Sequence, residues 1–202
     1  MGEHHVIIVN GLGETTGRFE AQVMGLKLIT KNWSEKYQLT PEIIPVEWED
    51  DQNLEQKLKQ ITDLIDELVK TGNMVSLIGC SAGGSLVLNA FAERKNVIEK
   101  VINLDGFVRP GSPKVVEYFE KVGAKSKSFR ESVLRFEALE PQLSKNDRKK
   151  ILTVRPLVDE LVPPETVIIK GATNKKISAV EHVLGIATSL IVYDPVIMFL
   201  KK

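Results

Sequence analysis

The sequence carries the pentapeptide Gly79-Cys80-Ser81-Ala82-Gly83 between two apolar runs. The run before it, MVSLI at residues 74–78, is short and predicts a buried strand, whereas the run after it, residues 84–91, has the apolar spacing of a helix. A serine at such a sharp strand-to-helix turn has its hydroxyl lifted clear of the sheet, and the flanking glycines permit the close approach of strand and helix. This context predicts that Ser81 is a nucleophile.

Strands and helices alternate along the rest of the chain. Apolar patterns predict strands at residues 6–9, 42–48, 101–104 and 151–154, and helices at residues 16–34 and 54–68. Pro45, inside the second of these strands, favours an edge or a bulge. Such alternation is typical of an α/β protein that has a mostly parallel sheet, helices on both faces and its sites at the carboxyl ends of the strands.

Residues 107–150 interrupt this alternation. Ser112-Pro113 predicts a helix start, and apolar faces predict two short helices, the second of which ends at Pro141. Two interpretations stay open: a small cap over a pocket near the carboxyl ends of the strands, or ordinary crossover helices packed on the sheet. In either case we expect residues 1–202 to form a single domain.

Composition argues against several classes of protein. Lys+Arg and Asp+Glu both number 27, so the formal net charge is zero, and without a basic run nucleic acid is not expected as the main partner. The single cysteine, Cys80, cannot form an internal disulfide, and no Cys/His cluster has metal-ligand spacing, so we expect neither metal nor cofactor. No apolar run approaches the ~20 residues that span a bilayer, and no charged leader precedes an apolar stretch. We therefore expect a cytoplasmic protein, of an oligomeric state that the sequence does not indicate.

A serine hydroxyl needs a neighbouring base, most often histidine, before it can act as a nucleophile. The chain has three histidines. His4 and His5 precede the first predicted strand, at the amino end of a parallel sheet, whereas Ser81 belongs at the carboxyl end, about 15–20 Å away. By elimination, His182 is the candidate base.

An imidazole base in turn needs a carboxylate that holds its tautomer. Asp159 lies just past the predicted strand at residues 151–154, and Asp105 lies at the end of the strand before it. We prefer Asp159, and Asp105 remains the alternative. The developing oxyanion requires fixed N–H donors, for which the candidates are Ala82, at the start of a helix, and Leu12, which lies between two glycines after the first strand.

In these residues the chain resembles the α/β-hydrolase family. The order Ser81, Asp159, His182 is the family's order of nucleophile, acid and base. Residues 9–13, VNGLG, resemble its oxyanion loop, and residues 157–163, LVDELVP, resemble its acid segment. The resemblance covers nearly the whole chain and implies a compact α/β-hydrolase fold with a small helical insertion.

The chain also departs from the family's pattern. Asn10 stands where the family often has a histidine, which changes side-chain hydrogen bonds around the loop more than the Leu12 backbone donor. The chain is short for the family, and we expect it to lack the leading antiparallel strands and any large lid. The resemblance still implies a serine hydrolase whose oxyanion hole is formed by Leu12 and Ala82.

The expected function is hydrolysis of a small-molecule carboxylic ester through an acyl-Ser81 intermediate, with thioesters and amides left open. Apolar residues in the 107–150 segment favour short-to-medium acyl chains, because each buried methylene is worth about 0.8 kcal/mol.

One alternative is a catalytically silent binding protein with the same fold. Another is nucleotide binding by residues 11–17, although the acidic residue expected about 20 residues further on is missing. Cys80 is expected to be structural.

Overall fold

A six-stranded sheet forms the centre of the computed structural model, which describes residues 2–13, 16–191 and 194–202. Its strands are β1 (His4–Val9), β2 (Thr40–Ile44), β3 (Met74–Cys80), β4 (Ile98–Leu104), β5 (Ile151–Pro156) and β6 (Thr173–Ile177). Across the sheet the order is β2-β1-β3-β4-β5-β6, and every neighbouring pair is parallel. The predicted α/β class with a parallel sheet is therefore confirmed.

Helices cover both faces of this sheet. Within the described ranges they are α1 (Thr16–Thr30), α2 (Trp33–Tyr37), α3 (Leu54–Lys70), α4 (Ala82–Arg94), α5 (Pro113–Gly123), α6 (Lys127–Leu139), α7 (Lys145–Lys149), α8 (His182–Ile191) and α9 (Asp194–Leu200). In β1, Ile7 and Val9 join the hydrophobic cluster that includes α3 to α6, whereas Val6 and Ile8 join the cluster that includes α1, α2, α8 and α9. Alternate residues of a buried strand thus supply two cores, as expected for a sheet covered on both sides.

Some element boundaries differ from the sequence prediction. The helix predicted at residues 16–34 ends at Thr30, and a separate short helix begins at Trp33. The strand predicted at residues 42–48 ends at Ile44, because Pro45 has no N–H with which to continue the ladder. This strand, β2, lies at an edge of the sheet, which is where a nearby proline is tolerated.

The helices of the 107–150 segment pack on the face that already carries α3 and α4. Helix α6 contacts both of these helices, and Phe119 of α5 lies 5.9 Å from Phe107 and 6.0 Å from Phe129 between ring centroids. Tyr118 stacks on Phe107 at the outer side of this aromatic group. Much of the segment is therefore core, and a cap formed by its outer part stays a prediction. Among the described residues, the structure contains no helix whose length and apolar character suffice for a membrane crossing.

Candidate active site

Ser81 occupies a strained turn between β3 and α4. Its backbone has φ 51° and ψ −120°, a conformation that residues with a side chain rarely adopt. The Ser81 N–H donates to the Leu104 carbonyl and the Ser81 carbonyl accepts from the Gly84 N–H, both at 2.8 Å. These two hydrogen bonds anchor the strained residue, which is the arrangement expected when strain serves a site.

The two glycines of the pentapeptide are required by close backbone approach. A Cβ on Gly79 would lie 2.3 Å from the Gly83 carbonyl oxygen, and a Cβ on Gly83 would lie 2.6 Å from the Val9 carbonyl oxygen. Since real Cβ contacts are much longer, neither position accepts a side chain without movement of the backbone. The turn can therefore bring α4 directly over the carboxyl ends of β1 and β3.

His182, the first residue of α8, lies against Ser81. Its Nε2 is 2.9 Å from Ser81 Oγ, and its Nδ1 is 2.8 Å from Asp159 Oδ2. With the proton on Nδ1, the imidazole donates to Asp159 and leaves Nε2 free to accept the Ser81 hydroxyl proton. Helix α8 reaches this position because Gly185 packs on Pro156, where a Cβ would come within 3.3 Å of the proline ring.

Asp159 follows β5 and is held as an anion. Its Oδ1 accepts the backbone N–H groups of Leu161 at 2.6 Å and Val162 at 2.7 Å, so its Oδ2 is left for His182. Burial alone would raise the pKa of Asp159, but the hydrogen bond and charge of His182, the neighbouring Asp105 carboxyl and the Val162 N–H hold that pKa well below its usual range. A permanently charged carboxylate is what orients an imidazole base.

Asp105, the alternative acid, also reaches His182. It follows β4 with φ 58°, is 1% exposed, and places its Oδ2 3.2 Å from His182 Nδ1. The hydrogen bond of Nδ1 nevertheless goes to Asp159. Burial raises the pKa of Asp105 to about 8. The geometry thus favours Asp159 as the orienting carboxylate and leaves Asp105 as a second carboxyl group beside it.

The two carboxyl groups decide the basicity of His182. Burial would lower the pKa of the imidazole, but the two neighbouring carboxyl groups of Asp105 and Asp159 outweigh burial and raise it to about 9. The imidazolium that forms when His182 accepts a proton is therefore well stabilised.

The loop after β1 lies beside Ser81 and is fixed by Asn10. The Asn10 side chain donates to the Gly11 carbonyl at 2.8 Å and to the Val46 carbonyl at 3.0 Å, and it accepts the Val46 N–H at 2.7 Å. A Cβ on Gly11 would lie 2.9 Å from Ser81 Cβ, so this loop passes as close to the serine as an unsubstituted backbone can. Asn10 thus locks the predicted oxyanion loop to the segment after β2.

The oxyanion roles of Leu12 and Ala82 stay predictions that this arrangement supports. Ala82 is the first residue of α4, where backbone N–H groups have no carbonyl partner within the helix. The Leu12 carbonyl is occupied by the Gln22 side chain at 2.8 Å, which fixes the Leu12 peptide beside the site. The alternative nucleotide motif at residues 11–17 includes Glu14 and Thr15, which lie outside the described residues.

A possible metal-binding cluster near Ser81 is formed by the same residues. Within the described part of the chain, Asp105, Asp159 and His182 are the one group of three or more His, Cys, Asp or Glu residues with ligand atoms within 4.8 Å of one another. Within this cluster His182 is hydrogen-bonded to Asp159, and its other ring nitrogen to Ser81. Cys80 is buried in the core that includes α1, α2, α8 and α9, and burial raises the pKa of its thiol to about 12.

The chain was also compared with known proteins. No protein-family model matches the sequence, and no curated protein matches it either. A solved structure from work on LipS and LipT, two metagenome-derived lipolytic enzymes, matches with a TM-score of 0.68 at 11% identity, over 99% of this chain and 94% of that one. The enol-lactonase from Burkholderia xenovorans LB400 matches with a TM-score of 0.65 at 16% identity, over 100% of this chain and 93% of that one. Est1E from Butyrivibrio proteoclasticus matches with a TM-score of 0.63 at 17% identity, over 99% and 88%.

The chain has the α/β-hydrolase fold. The fold that the sequence resemblance implied is thereby confirmed. Within it, the structure brings Ser81, His182 and Asp159 into one hydrogen-bonded chain at the carboxyl edge of the sheet. Sequence reasoning did not foresee that Asp105 and Asp159 would flank His182 together. The available signal was that both follow strands, β4 and β5, whose carboxyl ends are neighbours.

Proposed function

We propose that this protein is a serine hydrolase that cleaves carboxylic esters of short-to-medium acyl chain through an acyl-Ser81 intermediate. The observation that carries the proposal is the continuous relay from Ser81 Oγ to His182 Nε2, at 2.9 Å, and from His182 Nδ1 to Asp159 Oδ2, at 2.8 Å. A hydroxyl becomes a useful nucleophile when a base accepts its proton, and the base acts well when a carboxylate orients it. Both partners stand at hydrogen-bond distance.

In the acylation half, His182 Nε2 accepts the Ser81 hydroxyl proton as Oγ attacks the ester carbonyl carbon. The carbonyl oxygen becomes an oxyanion, which the backbone N–H groups of Leu12 and Ala82 stabilise. The imidazolium stays paired with the Asp159 carboxylate and then gives its proton to the departing alkoxide, so an alcohol leaves and the acyl group remains on Ser81.

In the deacylation half, a water molecule takes the place of the alcohol. His182 accepts a proton from this water while its oxygen attacks the acyl carbon, which generates a second oxyanion in the same position. When this intermediate collapses, the bond between Ser81 Oγ and the acyl carbon breaks, and His182 returns the proton to Oγ. The products are the carboxylic acid and free Ser81, and His182 ends neutral, as it began.

An apolar acyl group is supported by exposed side chains next to the triad more than by the apolar residues of the 107–150 segment. Phe119, Phe129, Val133 and Phe136 are 0–1% exposed and belong to the core. In contrast, apolar side chains near Asp159 and His182 are exposed to solvent: Leu157, Val158, Leu161, Val183 and Leu184. These residues offer apolar surface for a few methylene groups without a long enclosed tunnel.

The matched structures add support at the level of chemistry. Their descriptions include lipolytic enzymes, an enol-lactonase and a monoacylglycerol lipase from Paleococcus ferrophilus, and one of them holds ferulic acid. Ester and lactone hydrolysis share the attack of an activated oxygen on an acyl carbon. For the present chain we carry over that reaction class and none of the individual substrates.

The experiment that tests this function is a measurement of kcat/KM across p-nitrophenyl esters from acetyl to palmitoyl. We expect a maximum at chains of a few carbons and poor activity on the longest, because the apolar surface beside the triad is short. A maximum at palmitoyl would contradict the substrate class. No turnover with any of these esters would contradict ester hydrolysis and would turn attention to thioesters, amides or a silent binding protein with the same fold.

A further inference from the structure

Asp105 is a buried carboxyl group that the mechanism above leaves without a task. Its side chain is 2% exposed, and neither of its oxygens accepts a hydrogen bond from any residue that the structure describes. Its Oδ2 lies 3.2 Å from His182 Nδ1, but the hydrogen bond of that nitrogen is made to Asp159. An ionised carboxylate without donors is costly in a protein interior.

The usual structural role of such an aspartate does not account for it. A turn-forming aspartate hydrogen-bonds the backbone two or three residues further on, as Asp159 does with Leu161 and Val162. At Asp105 the turn is held by another side chain: Asn103 accepts the Gly106 N–H at 3.0 Å and donates to the Gly106 carbonyl at 2.9 Å. The carboxyl of Asp105 is thus held in place but not used by its own turn.

The second observation is the convergence of two carboxyl groups on one imidazole nitrogen. One oxygen of Asp105, one of Asp159 and a ring nitrogen of His182 lie within 4.8 Å of one another. Two ionised carboxylates are acceptors only and repel each other, whereas one that carries a proton can donate to its ionised neighbour. Backbone N–H groups stabilise the anion at Asp159 and not at Asp105, so the proton belongs on Asp105.

We propose that Asp105 is a positioning residue that carries a proton at neutral pH and donates it in a hydrogen bond to the Asp159 carboxylate. The arrangement gives Asp159 a further donor beside its two backbone donors and leaves His182 facing one net negative charge. No proton is transferred in this role: Asp105 keeps its proton while His182 cycles between its neutral and charged forms. The inference rests on the proposed function, since Asp105 acts through the orienting carboxylate of that site.

Electrostatics agree with this geometry. The titratable groups that act on Asp105 are His182 and Asp159, which belong to the two segments packed against it. Burial raises the pKa of Asp105 and so does the neighbouring Asp159 carboxylate, against the opposing effect of His182, and the result is about 8. The proximity of Asp105 also contributes to the lowered pKa of Asp159. The pair therefore holds one shared proton across neutral pH.

The first test detects the proton on Asp105 through the pH dependence of the free energy of unfolding, and it does not depend on catalysis. Between the ordinary pKa of an aspartate, about 4, and that of a histidine, about 6.5, folded Asp105 is protonated while unfolded Asp105 is ionised. The free energy of unfolding should therefore fall with rising pH in this window, by the linkage of about one proton, relative to Asp105→Asn. Urea unfolding of the two proteins at several pH values measures this difference. Equal slopes would overturn the proposal.

The second test separates positioning from direct orientation of His182. Asp105→Asn keeps an N–H donor toward Asp159 and Asp105→Gly removes it, and both residues tolerate the positive φ at this position. We expect kcat to stay within a few-fold in Asp105→Asn and to fall roughly 10- to 100-fold in Asp105→Gly, since a hydrogen bond to a charged group is lost. In Asp105→Asn, the rising limb of the pH profile should also lose the contribution of Asp105 ionisation near pH 8, which leaves the inflection of His182 near 9.

The opposite outcomes are equally distinct. If Asp105→Asn reduces kcat as severely as Asp159→Asn, then Asp105 is the orienting acid and the proposal is wrong. If the unfolding difference is present but no variant of the chain hydrolyses an ester, the carboxyl pair stands and the hydrolase function fails. If both Asp105 variants retain full activity and an unchanged pH profile, Asp105 does not position the triad, and the proposal fails.

Discussion

Among the residues that the structure describes, two serine–histidine pairs have the same distance between hydroxyl oxygen and imidazole nitrogen, and they lie in different settings. His182 Nε2 lies 2.9 Å from Ser81 Oγ, and His4 Nε2 lies 2.9 Å from Ser76 Oγ. Both serines belong to the same stretch of chain, since Ser76 lies within β3 and Ser81 follows its last residue. Distance between hydroxyl and imidazole is therefore not what distinguishes the two pairs.

Carboxyl groups and backbone position make the difference. At His4, burial is the largest influence and lowers the pKa despite the charge of Glu99, whereas at His182 two carboxyl groups outweigh burial and raise it. Ser76 is fully buried inside a strand, whereas Ser81 is partly exposed on a strained turn. A serine and a histidine in contact can act as nucleophile and base when the hydroxyl is exposed at the edge of the sheet. A neighbouring carboxylate must also stabilise the charged imidazolium.

The largest expected effect contrasts the two serines. Ser81→Ala should reduce kcat on the order of a millionfold, because the nucleophile is removed. Ser76→Ala, the matched control in the strand that precedes Ser81, should leave kcat within a few-fold, because Ser76 is buried against His4 and has no access to substrate. Steady-state hydrolysis of a p-nitrophenyl ester by both variants, with circular dichroism for folding, measures the contrast. If Ser76→Ala lost as much kcat as Ser81→Ala, the contrast between the two serines would be wrong.

The next largest effect concerns Asp159, the carboxylate hydrogen-bonded to the Ser81–His182 pair. Asp159→Asn should lower kcat roughly 10⁴-fold, because His182 then loses the partner that holds its Nδ1 proton. The affinity for an unreactive substrate analogue should change little, since Asp159 does not touch the substrate. If Asp159→Asn instead retains most of its activity, the relay from Ser81 to Asp159 is not the catalytic one.

The pH dependence is a smaller but direct comparison of the two histidines. Since the base must be neutral, kcat/KM should rise with pH until about 9, the pKa of His182, whereas His4 should titrate below its ordinary value of 6.5. Stability has the related sign: the contribution of charged His182 is complete below about 6.5 and is lost as pH rises through 9. NMR titration of the two imidazoles checks both values, and a His182 pKa below that of His4 would contradict the account.

The smallest expected effect lies at Cys80, next to the nucleophile in sequence. Its side chain packs in the core below the turn, so Cys80→Ser should destabilise the fold by about 1–3 kcal/mol while kcat stays within a few-fold. Thermal unfolding and ester hydrolysis measure the two quantities separately. A loss of activity as large as that of Ser81→Ala, in a folded protein, would give the thiol a chemical role.

The sequence predicted the parts of this site that local pattern or chain direction determines. The turn at Ser81 is visible because its glycines stand in a strand–turn–helix context, and His182 follows because His4 and His5 precede the first strand. The preference for Asp159 over Asp105 could not be settled from position along the chain, since both follow strands that end at the same edge. In the structure, the distance to His182 Nδ1, 2.8 Å against 3.2 Å, and the backbone donors at Asp159 separate them.

Two features of the fold escaped sequence reasoning for related reasons. Strand β6 (TNKKI) is largely polar and exposed, and it joins the sheet as an edge through backbone pairing with β5, which leaves no apolar pattern to detect. Apolar spacing in residues 107–150 predicted buried helix faces correctly, but it did not indicate which elements those faces pack against. Phe119 and Phe129 fill the core beside α4, whereas the exposed apolar surface lies next to the triad.

The central claim is that Ser81, and not Ser76, is the reactive serine of this chain. Its most direct test is labelling of the native protein with a fluorophosphonate, followed by mass spectrometry of the peptides. We predict one adduct on Ser81, none on Ser76, no adduct in Ser81→Ala, and much slower labelling in His182→Ala. An unlabelled but folded wild-type protein, or an adduct on a different residue, would contradict the claim.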